Sequence, residues 1–305
     1  MILLVGCAET SGPGAPVDAI PGPGDYQRTL VAEGFERLYL VHVPPGYDPA
    51  RPPPVVLAFH GTPSDAAEMR RITDFDRVAD ARGLVAVYPE AAVGDWSTGC
   101  LACPSAADHA RIDDVGFVRS LIDRLAAQLP IDRRRVFAVG FSNGALFTNR
   151  LACEAADALA GAALVGATLL DPEFTPPCDP ARAIPMAVIH GDRDPSFPPR
   201  GRAFGAEPTA PRTISIDATV ETWRDRNGCV TESGPQPLPD RVDDGTRVFL
   251  TEWTGCLRGA TVRFYDIEGG GHTWPGSPVE FHRSLGPESH DLDASAALAR
   301  FFLDS

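Results

Sequence analysis

Ser142, His272 and an aspartate at position 194 or 192 are the side chains whose types and settings could perform covalent chemistry together. A serine hydroxyl is a weak nucleophile at neutral pH and needs a base, usually an imidazole, held in place by a third group. Ser142 lies in Gly140-Phe141-Ser142-Asn143-Gly144, after the apolar run Val136–Val139 and before helix-compatible residues from Ala145 to about Cys153. This reads as a strand, a tight turn with serine at its tip, and a helix. Glycine at 140 and 144 removes a Cβ where the chain reverses sharply. The turn lifts the hydroxyl above a sheet and onto a helix N-terminus, whose partial positive charge favours developing negative charge.

Of the seven histidines, His272 has the most suggestive setting: Gly269-Gly270-Gly271 precedes it and Thr273-Trp274-Pro275-Gly276 follows. Such a loop can project an imidazole toward Ser142. His42 and His190 lie on or beside strands and read as structural groups, while His109, His282 and His290 fall in loops or helix edges. After the apolar run Met186–Ile189 comes His190-Gly191-Asp192-Arg193-Asp194-Pro195. Asp194 is the expected acid because it lies deeper in the loop and Pro195 stiffens the backbone after it; Asp192 is the alternative. The chain order serine, acid, histidine is that of the α/β-hydrolase triad. An oxyanion needs backbone N–H donors, each contributing about 3 kcal/mol in the transition state. Asn143 supplies one, and Thr62 of His60-Gly61-Thr62-Pro63 the other, since Pro63 has no N–H.

The elements that must hold these residues alternate. Apolar strands are expected at Arg37–Val43, Val55–Phe59, Leu84–Tyr88, Val136–Val139, Ala162–Val165, Met186–Ile189 and Val262–Ile267. Helices are expected at about 65–82, 114–128, 145–156, 219–227 and 294–303. Strands alternating with helices imply a mostly parallel sheet covered on both faces, an α/β class. Functional groups then gather beyond the strand C-termini. Asp113 reads as the N-cap of the helix that follows, with Asp114 in its first turn.

The chain has 305 residues, a net charge of −14 and 44% hydrophobic residues, and all 27 basic residues are arginine. No arginine cluster alternates with aromatics, so nucleic acid is excluded as an expected partner. Leu4-Val5-Gly6-Cys7 resembles a bacterial lipobox, and the Gly/Pro-rich stretch to about Gly24 reads as a tether, so residues 1–25 are expected to be a shortened signal and residues 26–305 one catalytic domain. The expected location is extracellular or periplasmic, with Cys7 as the lipidation site. Six cysteines remain, which allow 15 pairings. Proximity suggests Cys100 with Cys103, Cys153 with Cys178, and Cys229 with Cys256. A zinc site at Cys100-Leu101-Ala102-Cys103 would need a second pair nearby, and none is present.

From about residue 35 onward the chain resembles the extracellular serine esterases that include polyhydroxybutyrate depolymerases and bacterial feruloyl and acetylxylan esterases. The resemblance is carried by His60-Gly61-Thr62, Trp96, Asp113–Val118, Gly140–Gly144, His190-Gly191 with Asp194, Trp223 with Asn227-Gly228-Cys229, and Gly269–Gly276. It implies Ser142, Asp194 and His272 as a triad hydrolysing an ester through an acyl-enzyme, without metal or organic cofactor. Two stretches depart from the pattern: Cys100 and Cys103 are spread apart where some relatives hold adjacent cysteines, and Pro199–Arg212 has no counterpart we can align. Trp96 and Trp274 are candidate walls of an aromatic acyl pocket. Soluble feruloyl, acetyl or hydroxyalkanoate-oligomer esters are the expected substrates. The alternatives are a polyhydroxybutyrate depolymerase proper, a serine peptidase, or a non-catalytic cell-surface binding protein on the same scaffold.

Overall fold

The computed structural model describes residues 18–304 except 101; Cys7 lies outside them. Strands β1 (Gly24–Ala32), β2 (Phe35–Val43), β3 (Val55–Phe59), β4 (Val85–Pro89), β5 (Val136–Phe141), β6 (Gly161–Val165), β7 (Met186–Gly191), β8 (Thr231–Pro237), β9 (Arg247–Thr254) and β10 (Val262–Glu268) form one sheet. Its order is β1-β2-β4-β3-β5-β6-β7-β10-β9-β8. The six central strands, from β4 to β10, run parallel, and antiparallel strands extend both edges. This is the mostly parallel α/β sheet expected from the sequence.

Strands β3 to β7 are apolar runs, fully buried because both faces are covered, whereas β10, with Arg263, Asp266 and Glu268, is only partly buried. Val56, Ala58, Phe137 and Val139 pack into one core with helices α1 (Ala66–Thr73), α2 (Phe75–Arg82) and α7 (Ala294–Asp304). Val55, Leu57, Phe59, Val136 and Ala138 face the other way, onto α4 (Asp114–Gln128) and α5 (Asn143–Glu154). A third apolar cluster joins α5 to α6 (Ile216–Arg226) over β6 and β7, and α3 (Ala106–His109) is a single short turn.

The helix expected at 65–82 is two helices. Asp74 takes the left-handed conformation (φ 48°, ψ 36°) and its N–H closes the first helix on the Arg70 carbonyl. Aspartate tolerates that conformation better than most residues. An ionic cluster ties β1 and β2 to α1 and α2: His42 Nδ1 meets Asp25 (2.7 Å), His42 Nε2 meets Asp80 (2.9 Å), and Arg70 bridges Asp25 and Asp76.

Disulfides join Cys100 to Cys103, Cys153 to Cys178, and Cys229 to Cys256. Three such bonds fit an oxidising, extracytoplasmic compartment.

Candidate active site

Ser142 stands between β5 and α5 with φ 57° and ψ −121°, a conformation that L-residues rarely adopt and that only a tightly packed turn maintains. A Cβ on Gly140 would collide with the Gly144 carbonyl and Thr148 Oγ1, and one on Gly144 with the carbonyls of Phe59 and His60. The two glycines therefore let β5, α5 and the end of β3 meet at one point. Ser142 N–H donates to the Val165 carbonyl at 2.9 Å, fixing the turn to β6 as well.

His272 Nδ1 lies 2.7 Å from Asp194 Oδ2. The other carboxylate oxygen, Oδ1, accepts the N–H groups of Ser196 and Phe197, both at 2.7 Å. All of Asp194's orienting contacts are thus made by its own turn and by His272. Asp192 is placed elsewhere: its Oδ1 accepts Gly269 N–H at 2.7 Å and pins the start of the glycine loop. That loop is braced. Gly270 O accepts Arg193 N–H, Gly271 N–H donates to Pro287 O, and His272 N–H donates to Leu285 O. The glycines serve close backbone approach, since a Cβ on Gly191 would strike Gly270.

The imidazole of His272 stacks with Phe141 (centroids 4.9 Å apart) and Phe197 (5.9 Å). His190 supports the acid loop from the core, with Nε2–H donating to the Phe197 carbonyl at 2.9 Å. Burial pushes its pKa down, so it stays neutral.

Thr62 and Asn143 both line the cleft that contains Ser142, and neither amide N–H has an acceptor among the described residues. His60 orients the first. Its Nε2 accepts Ala91 N–H (3.1 Å), so Nδ1 carries the proton and donates to the Gly61 carbonyl (2.8 Å). In a trans peptide the following N–H points the opposite way, which turns Thr62 N–H away from His60. Desolvation lowers the His60 pKa and keeps this tautomer neutral.

Trp96 and Trp274 do not wall the cleft. Both are buried, and neither is among its lining residues. Trp274 packs on Phe75 and Phe141 and donates from Nε1 to Ser295 Oγ, forming a floor beneath the Phe141 side of the site. Trp96 Nε1 donates to the His60 carbonyl at 3.1 Å, and its ring stacks on Phe147. Aromatic type alone, without the partners of the indole N–H, could not distinguish a pocket wall from a brace. Asp108, which no sequence motif marks, is fully buried and accepts from Ser97 Oγ, Thr98 Oγ1 and Gly99 N–H, holding the loop after Trp96. Asp113 caps α4 through Gly116 N–H, as expected. Asp114 sits in the first turn of α4, as expected, and has further partners. It pairs with buried Arg37 at 2.8 Å and accepts Ser97 N–H.

The cleft has a volume of about 570 Å³. Its apolar lining includes Phe141, Leu146, Leu170, Phe197, Phe204 and Phe281. The unaligned stretch is one of its walls: Ala203 pairs with Arg212, and Leu170 with Thr213.

The profile of the family described as "Esterase PHB depolymerase" matches residues 37–171. "Putative esterase NocK" of Nocardia uniformis subsp. tsuyamanensis is 33% identical over 292 residues, covering 90% of this chain and 82% of that protein. The chain belongs to the Esterase PHB depolymerase family. Feruloyl esterase B of Piromyces equi is 26% identical to this PHB-depolymerase-family esterase over 239 residues, 77% of the chain, which spans only 42% of that relative's length. The acetyl xylan esterase from Aspergillus awamori superposes with a TM-score of 0.57 at 15% identity, covering 82% of this chain and 94% of that one, a likeness of fold. The family member described here is a serine carboxylic-ester hydrolase with the α/β-hydrolase fold.

Proposed function

We propose that Ser142 is the nucleophile, His272 the general base and Asp194 its orienting acid, with the N–H groups of Thr62 and Asn143 as the oxyanion hole. The observation that carries this reading is the 2.7 Å contact between His272 Nδ1 and Asp194, which leaves Nε2 as the ring nitrogen available to the serine in the shared cleft. Nε2 takes the hydroxyl proton as Oγ attacks the ester carbonyl. The oxyanion is held by the two amides, and the C–O bond breaks as Nε2 returns the proton to the departing alcohol. Water then attacks the acyl-enzyme, gives its proton to Nε2, and the acid leaves as that proton returns to Ser142. Asp194 remains a carboxylate and stabilises the imidazolium.

The substrates in this reading are soluble esters: feruloyl or acetyl esters of plant polysaccharide, or short hydroxyalkanoate oligomers. An apolar cleft of about 570 Å³ is the size of a small-molecule site and supports an acyl group with a short alcohol part. Export with lipidation at Cys7 is part of the proposal; the three disulfides support the export, and the lipobox-like Leu4-Val5-Gly6-Cys7 the anchor. The test is a hydrolysis panel of methyl ferulate, acetylated xylan, p-nitrophenyl acetate to octanoate and hydroxybutyrate oligomers, run with Ser142→Ala and with fluorophosphonate labelling. Turnover by Ser142→Ala at the wild-type rate, or absence of an adduct at Ser142, would sink the assignment. For the anchor, labelled fatty acid should enter the exported protein and fail to enter its Cys7→Ser variant.

A further inference from the structure

The segment between β7 and α6 contributes a cation to the catalytic cleft. Arg202 lines it beside Ser196, Phe197 and Phe204. Its backbone is fixed on both sides: N–H donates to Thr213 Oγ1 (3.0 Å) and the carbonyl accepts Thr213 N–H (2.8 Å). Its side chain is fixed too, with Nη1 donating to the Ser196 carbonyl at 2.8 Å and the guanidinium lying 5.3 Å from the centre of the Phe204 ring. No carboxylate among the described residues pairs with it, so one backbone acceptor and one π face leave most of its five donors free. Buried Asp108 and the neighbouring Asp95 are occupied by their own backbone and hydroxyl donors, and Glu68 pairs with Arg71. A positioned guanidinium with free donors, exposed at the rim of a cleft whose acids are engaged except for the exposed Glu280, fits a planar anion.

We propose that Arg202 is a specificity-determining residue that binds a carboxylate carried by the substrate, so that the enzyme favours esters with a free acid group on the acyl or the alcohol side. This rests on the ester-hydrolase site described above and goes beyond it by naming a charged substrate class. An uncapped hydroxyacid oligomer has such a group at its end, and so does a uronate.

The test compares matched esters in wild type, Arg202→Gln and Arg202→Lys. On the acyl side the pair is mono-p-nitrophenyl adipate and p-nitrophenyl hexanoate; on the alcohol side it is 3-carboxyphenyl acetate and phenyl acetate. For at least one pair, Arg202→Gln should lower kcat/KM for the carboxylate ester about tenfold, mostly through KM, and change the neutral ester less than twofold. Arg202→Lys should fall between, keeping the charge but losing the fork. Raising ionic strength from about 0.05 to about 0.5 M should erode the carboxylate preference in wild type and leave Arg202→Gln unaffected. Equal losses on charged and neutral esters would make Arg202 a structural support of the Ser196 turn, and no loss on either would make it a bystander; both overturn the proposal. The neutral esters report the esterase reaction by themselves, so failure there is read separately from failure here.

Discussion

Asn143 holds Trp96 twice: its Oδ1 accepts the Trp96 N–H at 2.7 Å and its Nδ2 donates to the Trp96 carbonyl at 3.2 Å. The Trp96 indole in turn bonds the His60 carbonyl. One buried residue therefore couples the turn that presents the Asn143 amide to the strand end that presents Thr62. The two amides proposed as oxyanion donors must keep a fixed separation to act on one oxygen, and Trp96 spans them without lining the cleft.

Trp96→Phe should test that coupling. The stack on Phe147 can survive, but the His60 carbonyl loses its indole donor. A buried polar group left without a partner costs about 1–3 kcal/mol. The variant should fold with that loss of stability by urea denaturation, and kcat for a neutral p-nitrophenyl ester should fall about tenfold with KM within twofold. A folded variant with wild-type kcat would mean that the hole keeps its shape without the indole.

The two candidate acids should separate cleanly by kinetics. Asp194→Asn leaves the turn's shape but presents the wrong group to His272 Nδ1, and kcat should fall by about 10³–10⁴. Asp192→Asn keeps an acceptor for Gly269 N–H and should stay within about threefold. The reverse ranking would move the orienting role to Asp192.

The parallel centre of the fold was legible because β3 to β7 are buried apolar runs covered on both faces, and β10 still shows β-rich residues between turns. The edges were not. β1 and β8 are mostly exposed, and β8, Thr231–Pro237, contains two prolines, with a register shift between Ser233 and Gln236. Such strands carry little apolar periodicity to read. At the candidate site, the setting of Ser142 and His272 on one cleft, with Asp194 against the imidazole, was legible because turn chemistry marks the strand ends and glycine patterns mark close backbone approach. The roles of His60, Asp108 and Trp96 were not, because each depends on partners about 9 to 47 residues away in sequence or on a carbonyl's direction, which no local pattern records.

The cluster at His42 predicts a pH-dependent stability. Burial pulls its pKa down, but hydrogen bonds to Asp25 and Asp80 and the charge of Asp76 outweigh burial and raise it above 6.5. The folded protein thus holds this proton more tightly than the unfolded chain. The stabilisation is complete below pH 6.5 and is lost as pH rises through the raised folded value. Denaturation midpoints of wild type and His42→Gln should differ most at about pH 6 and converge toward about pH 9. A constant difference across that range would show that the proton is not what the cluster holds.

Asp266, on β10, gives the opposite case of a group that weakens the fold at neutral pH. Burial first, and then the charges of Asp192, Glu268 and Asp217, push its pKa up from 3.8 to about 6. The native state therefore binds this proton more tightly than the unfolded chain does. Its contribution is favourable at low pH and declines between pH 3.8 and about 6, and above that the ionised carboxylate is a net cost. Asp266 is only half-buried, so solvent screening reduces the effect to about 1–2 kcal/mol. Asp266→Asn removes the charge at similar size, so it should stabilise the protein by that amount at about pH 7.5 and by nothing at about pH 4. Urea unfolding of both proteins at the two pH values measures the difference, and an equal gain at the acidic pH would trace it to packing instead of charge.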